Sequence, residues 1–340
     1  MPLKAAKSPA TDFGHASDAG YRRQAGRDAR PTANSRHPIA LNLIAHGLDI
    51  MASTCVQIPA LDGYLLNANI FPAADPCRGV VLIHSATAVP QKLYIGFAEY
   101  LAEMGFETIT YDYRGIAGSA PARLRGFQAS MSDWALKDAE GVQLWARRTY
   151  PDKLLFAVGH SFGGNVIGLC DSTRHLTAAA MVAGHAGCLR FIMPWAERFR
   201  VYVMVRGVFP LINAVLGYVP SRRLGFGEDL PKEAARNWSH WSGLPNAFFD
   251  VADLDAPRRF ARLQLPMVSI SFDDDLWATA PAVDLLTSYL VQARLEHWRI
   301  RSEGEGTGPI GHLGYFRRRH GPILWPRLAE WLGRQVESVG

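Results

Sequence analysis

From residue 54 onward, short continuous apolar runs alternate with stretches whose apolar residues recur at helical spacing. That alternation predicts βαβ units, hence an α/β fold with a mostly parallel sheet and helices on both faces. "TCVQIP" and "YLLNANIF" flank the Asp-Gly turn of "ALDG" and predict an opening antiparallel hairpin. "GVVLIHS" (79–85), "FETITYDY" (106–113), "LLFAVG" (154–159) and "AAAMVAG" (178–184) are apolar almost without interruption. Strands buried on both faces of a parallel sheet read this way. Between them, "KLYIGFAEYLAEMG" predicts a helix closed by Gly105, and the stretch from 132 places Trp134, Leu136, Ala139, Val142 and Trp145 near helical spacing with Ser132 as N-cap.

The alternation stops between about 185 and 260, where Phe191, Trp195, Phe199, Trp238, Trp241, Phe248 and Phe249 accumulate. This stretch predicts a mostly helical insertion. "QLPMVSISFDDD" restores the sheet pattern at 264, followed by a helix over 281–293, a last strand "LEHWRI" and a closing helix over 322–336. Within the insertion, "VYVMVRGVFPLINAVLGYV" (201–219) is the one candidate membrane span. Arg206, Pro210 and Asn213 inside it favour a buried or lid helix, so no integral span is expected.

Composition alters this picture mainly at the N-terminal end. Residues 1–50 show no apolar periodicity until about Ile39 and read as a disordered extension, with the folded domain running 51–340. They hold seven Lys or Arg against four Asp or Glu, so +3 of the formal +5 charge resides there and the body is near neutral. No basic stripe with interleaved aromatics remains to suggest nucleic-acid binding. The four cysteines, Cys55, Cys77, Cys170 and Cys188, form no CxxC pair and no metal-ligand spacing. They suggest reduced thiols, a cytoplasmic setting and no metal site.

The candidate chemistry sits on the loops after the predicted strands. "GHSFG" (159–163) joins an apolar strand to a helix, which is the setting of a nucleophile elbow, and makes Ser161 the candidate nucleophile. A serine hydroxyl needs a base, and that base an orienting carboxylate, here in the order serine, acid, histidine. "SISFDDDLWA" ends a strand in three aspartates; Asp274 is the expected acid, with Asp273 and Asp275 as alternatives. "GPIGHLGYF" supplies His312 as the base between two glycines, ahead of His320 at a helix start. "IHSATAVP" occupies the loop that normally contributes an oxyanion donor, so the backbone N–H groups of Ala86 and Phe162 are the expected pair.

With these residues assembled, the chain from about 54 to 338 resembles the α/β-hydrolase superfamily. Within it, the chain resembles the little-characterised bacterial hydrolases near the serine aminopeptidase and monoglyceride-lipase-like branch. "VVLIHSATAVPQ", "YDYRGIAGSAP", "GHSFGG", "DDDLWATAPAV" and "IGHLGYFR" carry the resemblance, and the tryptophan-bearing 216–250 stretch resembles that group's cap. Ser85, where an HG dipeptide usually has glycine, and Ala117, in place of a frequent glycine, depart from the pattern. The resemblance implies an α/β-hydrolase fold with a cap insertion at about 185–260. It also implies a serine hydrolase that uses no cofactor and acts on a small ester with an apolar part. Amide, peptide or thioester cleavage by the same residues, and a non-catalytic binding role on the same shell, are the alternatives.

Overall fold

The computed structural model describes residues 53–304 and 306–338. The N-terminal extension expected over 1–50 lies outside them. Ten strands are present among the described residues: β1 Thr54–Pro59, β2 Leu65–Phe71, β3 Gly79–His84, β4 Phe106–Tyr111, β5 Leu155–His160, β6 Ala178–Val182, β7 Tyr218–Val219, β8 Leu230–Pro231, β9 Pro266–Phe272 and β10 Arg294–Ile300. Eight of them form one sheet in the order β1-β2-β4-β3-β5-β6-β9-β10. β1 and β2 pair antiparallel, β2 joins β4 antiparallel, and every later neighbour is parallel.

Because side chains alternate across a strand, the continuous apolar runs feed two cores at once. Val80 and Leu82 of β3, with Ala157 of β5, face one core. There they meet Trp134, Val142, Val166 and the aromatic residues of the insertion. Val81, Ile83, Phe156 and Val158 face the other core, packed on Phe97, Leu101, Trp325 and Trp331. The chain steps from β3 to one side (β4) and then to the other (β5), so the order reverses at the β3/β5 boundary. The C-terminal ends of strands at such a reversal open into a crevice where α/β folds bind ligands.

Two local expectations change. The helical stretch from Met131 is capped by Ser130: its hydroxyl accepts from Asp133 N at 3.0 Å, and the Asp133 carboxylate accepts from Ser130 N at 2.9 Å. This reciprocal capping box leaves Ser132, the expected cap, within the first turn. The helix expected over 281–293 ends at Thr287.

Between β6 and β9 the chain leaves the main sheet. It forms a 22-residue helical run, Trp195–Leu216, then the small β7/β8 pair, then the helices Lys232–Ser242 and Ala256–Ala261. The run buries Val201, Val205, Phe209 and Asn213, four positions apart each time. An α-helix turns every 3.6 residues and would rotate such a stripe off the core, but residues 203–208 wind as a wider π-turn and bring it back. The buried or lid helix expected here is thus mostly exposed: only 22% of its most apolar window is buried, at mean hydropathy 1.5. No disulfide occurs among the described residues, all four cysteines being free.

Candidate active site

Ser161 links β5 to the helix Phe162–Leu169 with φ 51° and ψ −113°. A non-glycine residue reaches that region only where its surroundings enforce it. The enforcement is visible on both sides of the turn. A Cβ on Gly159 would overlap the Gly163 carbonyl, and one on Gly163 would overlap the carbonyl of His84 at the end of β3. The glycines let the helix start directly against two neighbouring strands, and the serine is left on the crest of the turn. Gly163→Ala is therefore expected to lower stability by about 3 kcal/mol or more, whereas Ser161→Gly should raise it by about 1 kcal/mol. Thermal unfolding of both variants tests this; equal midpoints would contradict the strained-turn account.

Two long loops converge on the crest. His312 Nε2 lies 2.9 Å from Ser161 Oγ, and its Nδ1 lies 2.7 Å from Asp275 Oδ2. The carboxylate on the histidine is thus Asp275, not the expected Asp274. Asp275 Oδ1 accepts from the backbone N–H groups of Trp277 and Ala278, at 2.9 and 3.0 Å, so its second oxygen is aimed at the imidazole. Asp274 instead ties down the histidine loop, accepting from Ile310 N at 2.7 Å and Gly311 N at 3.0 Å. Asp273 accepts from Ser302 N at 2.9 Å. The three adjacent carboxylates thus have three separate tasks. The Asx turn written in "DLWA" was the sequence signal that could have singled out Asp275.

Asp275 is fully buried, which alone would raise its carboxyl. The charge and hydrogen bond of His312, with the Ala278 N–H, outweigh burial and hold it at about 2. It therefore stays ionised at neutral pH and fixes the imidazole with hydrogen on Nδ1. Nε2 is left as the acceptor facing Ser161 Oγ.

The expected oxyanion donors fare differently. Phe162 is the first residue of its helix, so its N–H has no intrahelical acceptor and points out at the positive end of the helix. The Ala86 N–H is already engaged, donating to Tyr94 Oη at 2.9 Å. That bond belongs to a chain with a definite direction. His160 Nε2 lies 2.8 Å from the His312 carbonyl, which can only accept, so Nε2 carries the hydrogen and Nδ1 is bare. Tyr94 then donates its hydroxyl hydrogen to His160 Nδ1 over 2.9 Å and takes the Ala86 N–H on its oxygen. Tyr94 and His160, both fully buried, thereby lock the β3 loop to the backbone of His312.

His160, His185 and Trp277 surround the His312 ring, with centroids 5.4, 5.3 and 6.0 Å away. His160 and His185 precede the acid in the chain and neither is the base; that they flank the His312 ring is not legible in the sequence, because order in the chain does not show which strand ends meet. Burial holds His84 and His160 down at about 3 and His185 at about 4, the last two further lowered by the charge of His312. All three are neutral in the folded protein. The unfolded chain, with imidazoles near 6.5, takes up protons first on acidification. Their stabilisation is complete above pH 6.5 and is lost as pH falls toward 4 and then 3. Three such groups give a slope of up to about 4 kcal/mol per pH unit between about pH 6 and pH 4. Urea midpoints at pH 7, 6 and 5 should fall steadily, and a flat profile would contradict the neutral buried histidines.

Residues 75–206 match the family model described as serine aminopeptidase, S33. A soluble variant of monoglyceride lipase from Saccharomyces cerevisiae, solved with a substrate analog, superposes with a TM-score of 0.61 at 14% identity, covering 85% of this chain and 97% of that one. An esterase of Pyrococcus furiosus gives 0.56 at 13% identity, over 84% and 91%. A thermostable carboxyl esterase of Bacillus coagulans, solved with glycerol, gives 0.55 at 13% identity, over 84% and 99%. The chain has the α/β-hydrolase fold. Within it, the chain is similar to the S33 branch that contributes the matched 75–206 core.

Proposed function

We propose that this protein is a serine hydrolase that cleaves carboxylic esters with an apolar part. His312 Nε2 takes the Ser161 proton as Oγ attacks the ester carbonyl carbon, and the electron pair of the carbonyl moves onto its oxygen beside the Phe162 N–H. Collapse of the tetrahedral species expels the alcohol, which receives the proton from His312. Water, deprotonated by the same nitrogen, then releases the acid from the Ser161 acyl ester. Asp275 holds the imidazole in its tautomer and balances the charge it carries in between. The observation that carries this reading is the unbroken Ser161–His312–Asp275 hydrogen-bond chain, at 2.9 and 2.7 Å, on the crest of a strained elbow.

The insertion supports the apolar part of the substrate. Phe226, Phe209, Trp238 and Trp277 follow one another in ring contact, edge-on or tilted, from the insertion to the His312 ring, on which Trp277 stacks. This aromatic wall suits an acyl chain or an apolar alcohol. Parallel turnover of a p-nitrophenyl ester, the matching anilide and a thioester tests the bond. Fastest turnover of the ester is expected; a faster anilide would replace this reading with amide cleavage.

A further inference from the structure

The helical run Trp195–Leu216 carries an outward face that the described residues leave uncovered. Of its twelve exposed residues, only Arg200 and Arg206 are charged. Trp195 is 74% exposed, Leu211 71% and Val215 73%, with Phe199 and Tyr202 more than half exposed between them. Isolated exposed apolar side chains are ordinary, but a stripe along six turns of one helix is not.

The charge beside this stripe is of one sign. The run holds Arg198, Arg200 and Arg206 against Glu197, a net +2; the neighbouring helix Lys232–Ser242 holds Lys232 and Arg236 against Glu233, a net +1. Both glutamates are already used, Glu197 by Arg200 at 2.7 Å and Glu233 by Arg236 at 3.1 Å. A groove between the two helices is lined by Arg206, Asn213, Lys232, Arg236 and His240. The Asn213 side chain is buried against it, donating to the Lys232 carbonyl at 2.9 Å, while its Oδ1 has no partner among the described residues.

We propose that this face docks on the surface of an anionic lipid bilayer, with the aromatic and aliphatic side chains at the acyl boundary and the cations among the headgroups. Charge favours the bilayer over a second copy of the chain: the two helices carry a net +3, and their two glutamates are already paired with Arg200 and Arg236, so like charge would face like across a contact between copies. The face is also joined to the chemistry. Glu197, in its first turn, accepts from Trp277 Nε1 at 3.1 Å, and the Trp277 ring lies stacked 6.0 Å from that of His312. Docking would turn the aromatic wall toward the bilayer and favour lipid esters dissolved in it, a consequence that rests on the hydrolase reading; the docking itself does not.

The test is vesicle flotation of the full-length Ser161→Ala protein, so that binding is read without turnover. Vesicles of phosphatidylcholine alone are compared with vesicles holding about 30% phosphatidylglycerol, at low and at high salt. At least about ten-fold greater partitioning onto the anionic vesicles is expected, falling as salt screens the cations. Phe199→Ser with Leu211→Ser should abolish it, and Arg206→Gln with Lys232→Gln should remove the preference for anionic lipid, both without a drop in melting temperature. No flotation with either vesicle would overturn the proposal, as would equal binding to both. So would a dimer in sedimentation that Leu211→Ser dissolves.

Discussion

Ser161→Ala is expected to reduce ester turnover by about 10⁴-fold or more while leaving the fold intact. Among the described residues, the removed oxygen is the one group that His312 Nε2 faces at bonding distance, 2.9 Å away. Nucleophile and base act as one unit, so losing either removes most of the advantage over water. The alanine keeps the same strained backbone region, so stability should change little. The contrast with Ser161→Gly, equally inactive yet more stable, separates chemistry from strain. Steady-state kinetics on a p-nitrophenyl ester with both proteins measures it; turnover within ten-fold of the parent would remove Ser161 from the reaction.

Asp275→Asn is expected to lower kcat by about 10⁴, the size of effect seen when an orienting carboxylate becomes an amide. The reason here is local. The Trp277 and Ala278 N–H groups both donate to Oδ1, so the asparagine must keep its oxygen at that end and turn its NH₂ toward His312 Nδ1. A donor there forces the hydrogen onto Nε2, and Ser161 then faces an imidazole that cannot accept its proton. Asp274→Asn removes an acceptor for only one of the two loop amides, Ile310 or Gly311. Its effect should stay within about ten-fold, consistent with loosening the histidine loop rather than altering its tautomer. Equal losses in the two variants would contradict the assignment of Asp275.

These two variants also mark where the sequence stopped being informative. The sheet was legible because strands buried on both faces must be apolar throughout, as in "GVVLIH" and "LFAVGH". Ser161 was legible because the two glycines beside it answer to backbone overlaps that leave no other residue possible. The choice among Asp273, Asp274 and Asp275 was not. Adjacent carboxylates differ only in which way a turn aims them: the turn at Asp275 is local, through residues 277–278, but the partners of Asp273 and Asp274 at 302–311 close from elsewhere in the chain.

The engagement of Ala86 by Tyr94 was hidden for the same reason: it runs through His160 to a carbonyl 152 residues away from that histidine. The outward face of Trp195–Leu216 escaped because its composition matches that of a buried helix, and only the placement of its neighbours distinguishes them.

The central claim is that Ser161 is a nucleophile activated by His312, which Asp275 orients. Reaction with a fluorophosphonate, followed by intact-mass measurement and peptide mapping, tests it most directly because the reagent needs an activated serine and no knowledge of the substrate. One equivalent of adduct on the peptide carrying Ser161 is expected, forming far more slowly in Asp275→Asn and at the parental rate, within about ten-fold, in Asp274→Asn. No adduct, an adduct on another residue, or a rate unchanged by Asp275→Asn would contradict the account.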